Sequence, residues 1–335
     1  MNGSPHQGVL GDPVGPHPQD RPADEHAAAA APVETGGGRV LVGTCSWTDK
    51  TLVESGRFYP PGVTSPAERL RFYATRFPIV EVDATFYAPP SERTARLWVE
   101  RTPAGFVFDV KAFSLLTTHA TQARLLPAPL SSLLPPAVKA KQRFYLKDVP
   151  ADAVDAIWEL HRRALRPLAE AGKLGVVLFQ FPHWFRKNAQ NVAYLGTVAR
   201  ELAGYRVAVE FRGGGWMEPG HEASTLDVLE RLGFSYVCVD EPQGSPSSTP
   251  PVVAATSDIA VVRFHGRNGA LWQAKTASAA ERFRYLYDED ELREWVPRVR
   301  ELAERAGEVH ALMNNCYRDH AVVNARRLAT LLAGA

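Results

Sequence analysis

The sequence predicts an α/β fold, a (β/α)8 TIM-type barrel. Eight short apolar segments rich in β-branched residues recur along the chain, and segments with helical periodicity separate them. Such alternation is typical of a parallel sheet whose strands are connected by helices. Eight strands are the number that closes a barrel, which folds as a single domain of roughly 250 residues. We therefore expect one barrel domain over residues 39–335.

The predicted strands begin after a tail. Residues 1–38 consist mainly of Pro, Gly, Ala, His and Asp and end in three consecutive glycines. They contain too little apolar surface to offset the chain entropy lost on folding, so we expect a disordered tail. Strands are expected over 39–44, 79–83, 106–111, 174–180, 206–211, 235–239, 259–264 and 309–313.

Helix signals lie between the strands. Ser65, Pro66 and Glu68 form a capping box with proline at the first helical position, and Asp288 with Glu291 forms a second box. Further helices are expected over 91–101, 152–171, 189–203, 221–232, 288–306 and 319–332. Two connections, 119–149 and 266–287, are longer than a barrel needs, which is typical of functional loops. The aromatic residues of the second one, among them Trp272, favour an ordered cover.

Composition limits the partners and the compartment. The chain has 38 basic and 37 acidic residues and no long basic run, so we expect no nucleic-acid partner. No apolar stretch resembles a signal peptide or a membrane span, so we expect no membrane partner. The three cysteines, Cys45, Cys238 and Cys316, are isolated in the sequence, which favours a reduced, cytoplasmic protein. The oligomeric state is left open.

Charged residues cluster where strands end. Because side chains alternate between the two faces of a strand, Glu81 shares a face with Asp83, Glu210 with Arg212, and Arg263 with His265. Buried charges need partners, so these groups either neutralise one another in a structural network or await a ligand. Active sites of barrel enzymes lie at this end of the strands.

The residue types indicate roles. Glu81 and Glu210 lie across the predicted mouth as a candidate acid and base, and His265 is a candidate second proton carrier. Arg212, Arg263 and Arg267 suit a carboxylate, a phosphate or developing negative charge. Asn314 and Asn315 suit hydroxyl groups. The expected ligand is a small polar or anionic molecule.

Aromatic residues also follow the strands. Trp47, Phe86, Tyr87 and Trp216 could stack on a sugar ring, or they could simply pack in loops. Lys111 at the end of the third strand could form a Schiff base, although a salt bridge to Asp83 or Asp109 is favoured.

A metal site is an alternative interpretation of the same charges. The oxygen and nitrogen ligands for Mg²⁺ or Mn²⁺ would come from Glu81, Asp83, His119, Glu210, Asp240 and His265. No zinc-motif spacing occurs, and the neighbouring arginines already supply positive charge. We therefore expect no cofactor, with a divalent metal as the alternative.

Several motifs resemble the domain-of-unknown-function family 72, the YecE-like proteins, over about residues 40–332. The similar motifs are Gly43-Thr44-Cys45-Ser46-Trp47, Phe58-Tyr59-Pro60, Val80-Glu81-Val82-Asp83-Ala84-Thr85-Phe86-Tyr87, Thr102-Pro103-Ala104-Gly105-Phe106, Phe179-Gln180-Phe181-Pro182, Val209-Glu210-Phe211-Arg212, Phe264-His265-Gly266-Arg267 and Asn314-Asn315. The resemblance implies a TIM-type barrel related to sugar isomerases, with a polar cluster at its mouth. Asp83 stands where the family usually has Asn, and Met313 where it usually has Phe.

The predicted function is an enzyme that transfers protons on a small polar or anionic sugar-like molecule, as an isomerase or a lyase does. Gln180 and Asp240 complete the set of expected binding residues. Two alternatives are open: a module that binds a metabolite or anion without catalysis, and a metal-dependent hydrolase or phosphodiesterase.

Overall fold

The computed structural model describes residues 31–272 and 279–334. Within them, eight parallel strands pair in chain order, and pairing of the first barrel strand with the last closes the barrel. The barrel strands are β2 Gly38–Thr44, β3 Ile79–Val82, β4 Val107–Lys111, β5 Leu174–Phe181, β6 Val207–Phe211, β7 Phe234–Asp240, β8 Ile259–Phe264 and β9 Glu308–Met313. The predicted fold and the number of strands are confirmed.

A ninth strand precedes the barrel and corrects the boundary of the predicted tail. β1, Val33–Thr35, pairs antiparallel with β2, so residues 33–38 form a hairpin where we expected disorder. Glycine lets the start of β2 approach the residue that precedes β9, because a Cβ on Gly38 would lie 2.4 Å from the carbonyl oxygen of Gly307. Val33 is buried against the core, which is the apolar contact that the composition argument overlooked. Residues 1–30 lie outside the described part of the chain.

Helices cover the outside of the barrel. The longer ones are α2 Pro66–Ala74, α3 Glu92–Glu100, α6 Ala151–Glu170, α7 Ala189–Glu201, α8 Glu222–Arg231, α12 Trp295–Ala306 and α13 His320–Gly334. Both predicted capping boxes are present, at Ser65 before α2 and at Asp288. A short helix that we did not predict, α1 Lys50–Ser55, begins at Asp49, whose side chain accepts hydrogen bonds from the backbone. Among the described helices, none has the length and apolarity that a membrane crossing requires.

The helix predicted over 288–306 is two helices. α11 spans Glu289–Arg293, and α12 begins two residues later, at Trp295. Pro297 explains the interruption, because a proline ring clashes with the carbonyl group four residues earlier and cannot donate the hydrogen bond to it. That carbonyl belongs to Arg293, the last residue of α11.

Both long connections contain ordered structure. The first, 119–149, includes the short helices α4 Ala128–Leu133 and α5 Pro136–Lys139, and buries Leu134, Val138 and Phe144. The second, 266–287, includes α9 Gly269–Trp272 and α10 Ala279–Arg282, with residues 273–278 undescribed.

The core has two parts, and the inner part positions the site. A large cluster lies between the barrel and its helices, and a smaller one fills the barrel interior with residues such as Leu41, Val176, Leu178 and Val261. Inward-facing positions alternate along each strand, so the polar residues that follow these apolar ones face the axis at the upper end of the barrel.

Candidate functional site

Arg263 is the centre of a fully buried charge cluster in the barrel mouth. Its Nε and Nη2 donate to the two carboxylate oxygens of Glu81 at 2.9 and 2.6 Å, and its Nη1 donates to Glu210 Oε2 at 2.5 Å. Its Nη2 also lies 3.7 Å from Cys45 Sγ. All three charged side chains are completely shielded from solvent. One guanidinium therefore joins β8 to the carboxylates of β3 and β6 across the barrel.

The remaining oxygen of Glu210 is the meeting point of three polar side chains. Gln180 Nε2 donates to Glu210 Oε1 at 2.6 Å, Arg212 Nε lies 3.2 Å from it, and His265 Nε2 also lies 3.2 Å from it. The structure thus brings together the three predicted catalytic residues, Glu81, Glu210 and His265.

The two buried glutamates ionise differently. Burial raises the pKa of Glu81 to about 7, with a further increase from Asp83 and opposition from Arg263. Burial would also raise the pKa of Glu210, but Arg263, His265 and Arg212 together hold it well below its usual value. At neutral pH Glu210 is therefore a carboxylate, while Glu81 is partly protonated.

His265 is uncharged. Burial, followed by the charge of Arg212, lowers its pKa to about 3 against the opposing effect of Glu210. Its Nδ1 lies 2.8 Å from the side-chain nitrogen of Asn314, which therefore donates to it and leaves the ring proton on Nε2. The Nε2 atom is buried and has no hydrogen bond of good geometry to any described residue. The Nε2–H of this uncharged ring consequently lies beside Glu210 Oε1, at 3.2 Å, without a well-aligned hydrogen bond.

A second tier of charges lies nearer to solvent. Lys111 Nζ binds Asp83 Oδ1 at 3.0 Å, as the sequence favoured, and lies 5.0 Å from the centroid of the Phe86 ring. Burial opposes ionisation of Asp83, but Lys111 and Arg263 lower its pKa below the usual value. The side chains of Lys111 and Arg212 are 13% and 17% exposed, so both remain partly accessible to solvent while they pair with Asp83 and Glu241.

Part of the 266–287 connection covers the mouth. The ring of Trp272 lies 5.0 Å from the guanidinium carbon of Arg212 and 6.2 Å from the ring of His265, and Phe283 lies 6.3 Å from the same histidine. The end of this connection is anchored, since Asn315 Nδ2 donates to the Tyr285 carbonyl at 2.9 Å. Its aromatic residues therefore close the site from above.

Other predicted residues lie away from this cluster. Asp240 faces the helices, where it accepts hydrogen bonds from Arg267, Tyr287 and Trp295 at 2.7 to 3.2 Å. Arg267 also contacts Glu291 and Glu294 on or beside α11. Asp240, Arg267 and Asn315 thus attach surrounding loops and helices to the barrel.

The four predicted stacking residues separate into two pairs. Trp216 is fully buried between the rings of Phe185 and Phe211, and Trp47 is buried edge-on against Trp98. Phe86 is half-buried, and Tyr87 is 63% exposed at the mouth. Only the second pair is placed to meet a ligand from solvent.

Backbone strain supports a functional role for this end of the barrel. Outside glycine, positive φ angles in the described residues occur at Ser46, Thr118 and Arg318, with values of 148°, 61° and 48°. All three lie in loops that follow barrel strands. Strained backbone of this kind clusters at active sites and ligand clamps.

Comparison with known proteins identifies the family. Residues 41–335 match the family described as "Protein of unknown function DUF72". The chain belongs to the DUF72 family. It is similar to the UPF0759 protein YunF of Bacillus subtilis, with 32% identity over 297 residues that cover 88% of this chain and 94% of the relative. The resemblance inferred from the motifs is confirmed.

Solved structures of DUF72 proteins share the fold. A family member from Enterococcus faecalis is 25% identical, with a TM-score of 0.70, and the match covers 88% of this chain and 95% of that one. A member from Thermotoga maritima is 30% identical, with a TM-score of 0.68, and the match covers 88% and 98%.

In this DUF72 protein, Glu241 is a mouth residue that the sequence reasoning missed. It pairs with Arg212 and accepts a hydrogen bond from the backbone nitrogen of Thr249 at 2.7 Å. Burial raises its pKa to about 7, opposed by Arg212. Strand alternation could have found it, because Val237 and Val239 face the axis and Glu241 continues that series.

A second buried charge group lies deeper in the barrel and was also missed. His310 Nδ1 lies 2.9 Å from Asp109 Oδ2, and its Nε2 lies 2.9 Å from Glu308 Oε1. Burial opposes protonation of His310, but Asp109 and Glu308 raise its pKa to about 9. These three side chains pair with one another, so the group stabilises the barrel and is not placed to bind a ligand.

The residues proposed as metal ligands are not assembled as a set. Asp240 faces the helices, and both carboxylates of the central cluster are bound to Arg263. Among the described residues, no three His, Cys, Asp or Glu side chains form a group that could hold a metal ion. The expectation that no cofactor is needed stays a prediction.

Proposed function

We propose that this DUF72 barrel is an enzyme that moves protons on a small, anionic, sugar-like molecule, in the manner of an isomerase or a lyase. The observation that carries the proposal is the opposite pKa displacement of Glu81 and Glu210, two carboxyl groups held by one arginine. Paired groups whose environments separate their pKa values are typical of an acid and a base that work together.

The roles follow from the protonation states. Glu210, a carboxylate at neutral pH, acts as the base that accepts a proton from carbon. Glu81, with a pKa near 7, donates a proton to an oxygen or receives one from it. Arg263 stays positively charged between them and stabilises negative charge as the proton moves.

His265 takes a different role from the one expected from its sequence. With a pKa of about 3, it is a poor proton carrier near neutral pH. Its Nε2–H, which lies 3.2 Å from Glu210 Oε1, instead donates a hydrogen bond to a substrate oxygen. Lys111 and Arg212, the partly exposed cations, hold the acid group of the substrate.

Hydrogen–deuterium exchange tests the reaction class before the natural substrate is known. Aldoses, ketoses, sugar acids and sugar phosphates are incubated with the protein in D2O, and proton NMR follows the loss of each C–H signal. Proton abstraction next to a carbonyl replaces hydrogen with deuterium, so at least one compound loses a specific signal. Glu210→Gln abolishes the exchange, and Glu81→Gln slows it by roughly 10²–10⁴-fold.

The matched control is Glu301→Gln on the outer face of α12, where the side chain is 53% exposed and pairs with Arg305. This variant keeps the wild-type exchange rate. Thermal unfolding of each variant shows whether it is folded. Exchange that continues unchanged in folded Glu81→Gln and Glu210→Gln proteins contradicts the proposed roles.

The second candidate function is a non-catalytic binding module. It is favoured by the complete burial of Glu81, Glu210 and Arg263, which pair with one another out of contact with solvent. A binding module holds its ligand without exchanging any C–H proton, and it retains that affinity in both glutamine variants. Exchange catalysed by the wild-type protein eliminates this candidate.

A further inference from the structure

Five rings form an aromatic ridge beside the mouth: Tyr87, Phe86, His119, Trp184 and His183. Successive ring centroids lie 5.3, 5.0, 5.5 and 4.9 Å apart. Each contact is edge-to-face, with interplanar angles of 71° to 90°. Tyr87 is 63% exposed and Trp184 is 49% exposed. Phe86 and Tyr87 were expected from the sequence to stack on a ligand, whereas the other three rings were not expected in that role.

The middle of the ridge is held in place although its ends face solvent. Thr117 Oγ1 lies 2.9 Å from His119 Nδ1, and Trp184 Nε1 donates to the Thr118 carbonyl at 3.4 Å. Thr118 itself has a positive φ of 61°, which turns the backbone just before His119. The connection between β4 and α6 thus contacts the loop after β5, and these contacts orient the exposed rings. Without them, rings on solvent-facing loops would be mobile.

The ridge adjoins the cations of the mouth. Lys111 Nζ lies 5.0 Å from the centroid of Phe86, the second ring of the ridge. Burial, Lys111 and Arg212 lower the pKa of His119 to about 4, so the ring is uncharged. The uncharged ring of His119, in the middle of the ridge, is therefore close to two positive side chains that face solvent in part.

We propose that the aromatic ridge is the platform for a pyranose ring, and that Lys111 and Arg212 hold the acid group carried by that ring. The apolar C–H face of a sugar stacks on aromatic rings, whereas its acid group requires a cation at the edge of the platform. The substrate class is then a uronic acid or another pyranose with an anionic substituent. This inference rests on the proposed function, because that function is what places the substrate in the mouth of the barrel.

Binding of three probes tests the platform. D-glucuronate has a ring and an acid group, D-glucose has the ring alone, and glycolate has the acid group alone. Titration calorimetry measures affinity, and saturation-transfer NMR shows which probe protons contact the protein. We expect D-glucuronate to bind tightest and its ring C–H protons to receive the strongest saturation. Trp184→Ala weakens its binding roughly 2- to 10-fold, from the usual strength of an aromatic contact.

Two further variants distinguish stacking from disturbance of the loop. Trp184→Phe keeps a ring and retains most of the affinity. Tyr145→Ala removes a different exposed aromatic residue, 39% exposed and also close to a lysine, and leaves binding unchanged. The inference is overturned if Trp184→Ala binds D-glucuronate as tightly as the wild-type protein does. It is also overturned if the wild-type protein binds glycolate or D-glucose as tightly as D-glucuronate.

These outcomes are separate from those of the exchange assay. Ridge-dependent binding of D-glucuronate without deuterium exchange into any compound supports the platform and contradicts the proposed enzyme. Exchange into an acyclic acid that is unaffected by Trp184→Ala supports the enzyme and contradicts the platform.

Discussion

Replacement of Arg263 by Met tests whether one guanidinium neutralises the centre of the barrel. Arg263 makes three hydrogen bonds to Glu81 and Glu210 at 2.5 to 2.9 Å, and all three side chains are fully buried. Methionine fills a similar volume without charge, so the variant leaves Glu81 without its hydrogen-bonded counterion and leaves Glu210 with Arg212, at 3.2 Å, in place of two arginines. Such groups become protonated when ionisation costs more than uptake of a proton.

The size of the effect follows from the protonation states. Glu81 already has a pKa near 7, so its protonation at pH 7 costs little. Glu210 is ionised, and adding a proton to a carboxyl group of ordinary pKa at pH 7 costs about 3 kcal/mol. Together with the lost hydrogen bonds, we expect Arg263→Met to lower the free energy of unfolding by about 3–5 kcal/mol.

The loss depends on pH in a defined direction. Burial raises the pKa of Glu210 and Arg263 is the largest charge that opposes this, so we expect Arg263→Met to move the folded-state pKa of Glu210 above its unfolded value of about 4.5. The stability that this carboxyl group contributes is then complete below that pH and decreases as pH rises. Urea unfolding followed by circular dichroism should therefore show a loss about 2–3 kcal/mol smaller at pH 5 than at pH 7.

Two controls accompany this experiment. Arg293→Met removes a cation that is 58% exposed on α11, and should change stability by less than about 1 kcal/mol. Arg263→Met combined with Glu81→Gln and Glu210→Gln leaves no buried charge in the central cluster, and should recover most of the loss. An Arg263→Met protein with wild-type stability, or a loss equal at pH 5 and pH 7, would refute the reasoning.

The remaining predictions concern other parts of the barrel. The pKa of His310 is raised to about 9 by Asp109 and Glu308, so its contribution is complete below about pH 6.5 and disappears as pH rises through 9; urea unfolding should show a decrease of about 3 kcal/mol, absent in His310→Gln. Imidazole NMR signals of His265 should not titrate between pH 5 and 8, since its pKa is about 3, and titration in that range would contradict the assigned state. Ser65→Ala removes the cap of α2 and should lower stability by about 1 kcal/mol in urea unfolding, whereas an unchanged midpoint would contradict the capping role.

Much of the fold was predictable because its signals are local. The alternation of apolar strands and helices, the capping boxes and the count of eight all follow from short stretches of sequence. The hairpin at residues 33–38 and the break before Trp295 were not recognised. The hairpin depends on packing against residues from the far end of the chain, so no local signal predicts it. The break between the two helices does have a local signal, Pro297, which was not used to predict it.

The site was predictable only in part, because strand alternation gives the face of a residue but not its partners. It placed Glu81, Glu210 and His265 correctly at the mouth. Asp240 was expected to bind the ligand, yet it faces the helices and its neighbour Glu241 faces the axis. Trp216 and Trp47 are aromatic, as a binding platform requires, but both side chains are buried by packing against other rings.

By itself the sequence determined the barrel, the family and the end of the barrel at which polar residues gather. These properties depend on periodicity and on motifs, and each is readable within a few residues. The tertiary structure alone decided that Arg263 binds both glutamates, that His265 is uncharged, and that Trp184 and His119 extend Phe86 into a ridge. Burial and charge pairing depend on distances between residues far apart in the chain, and folding sets those distances.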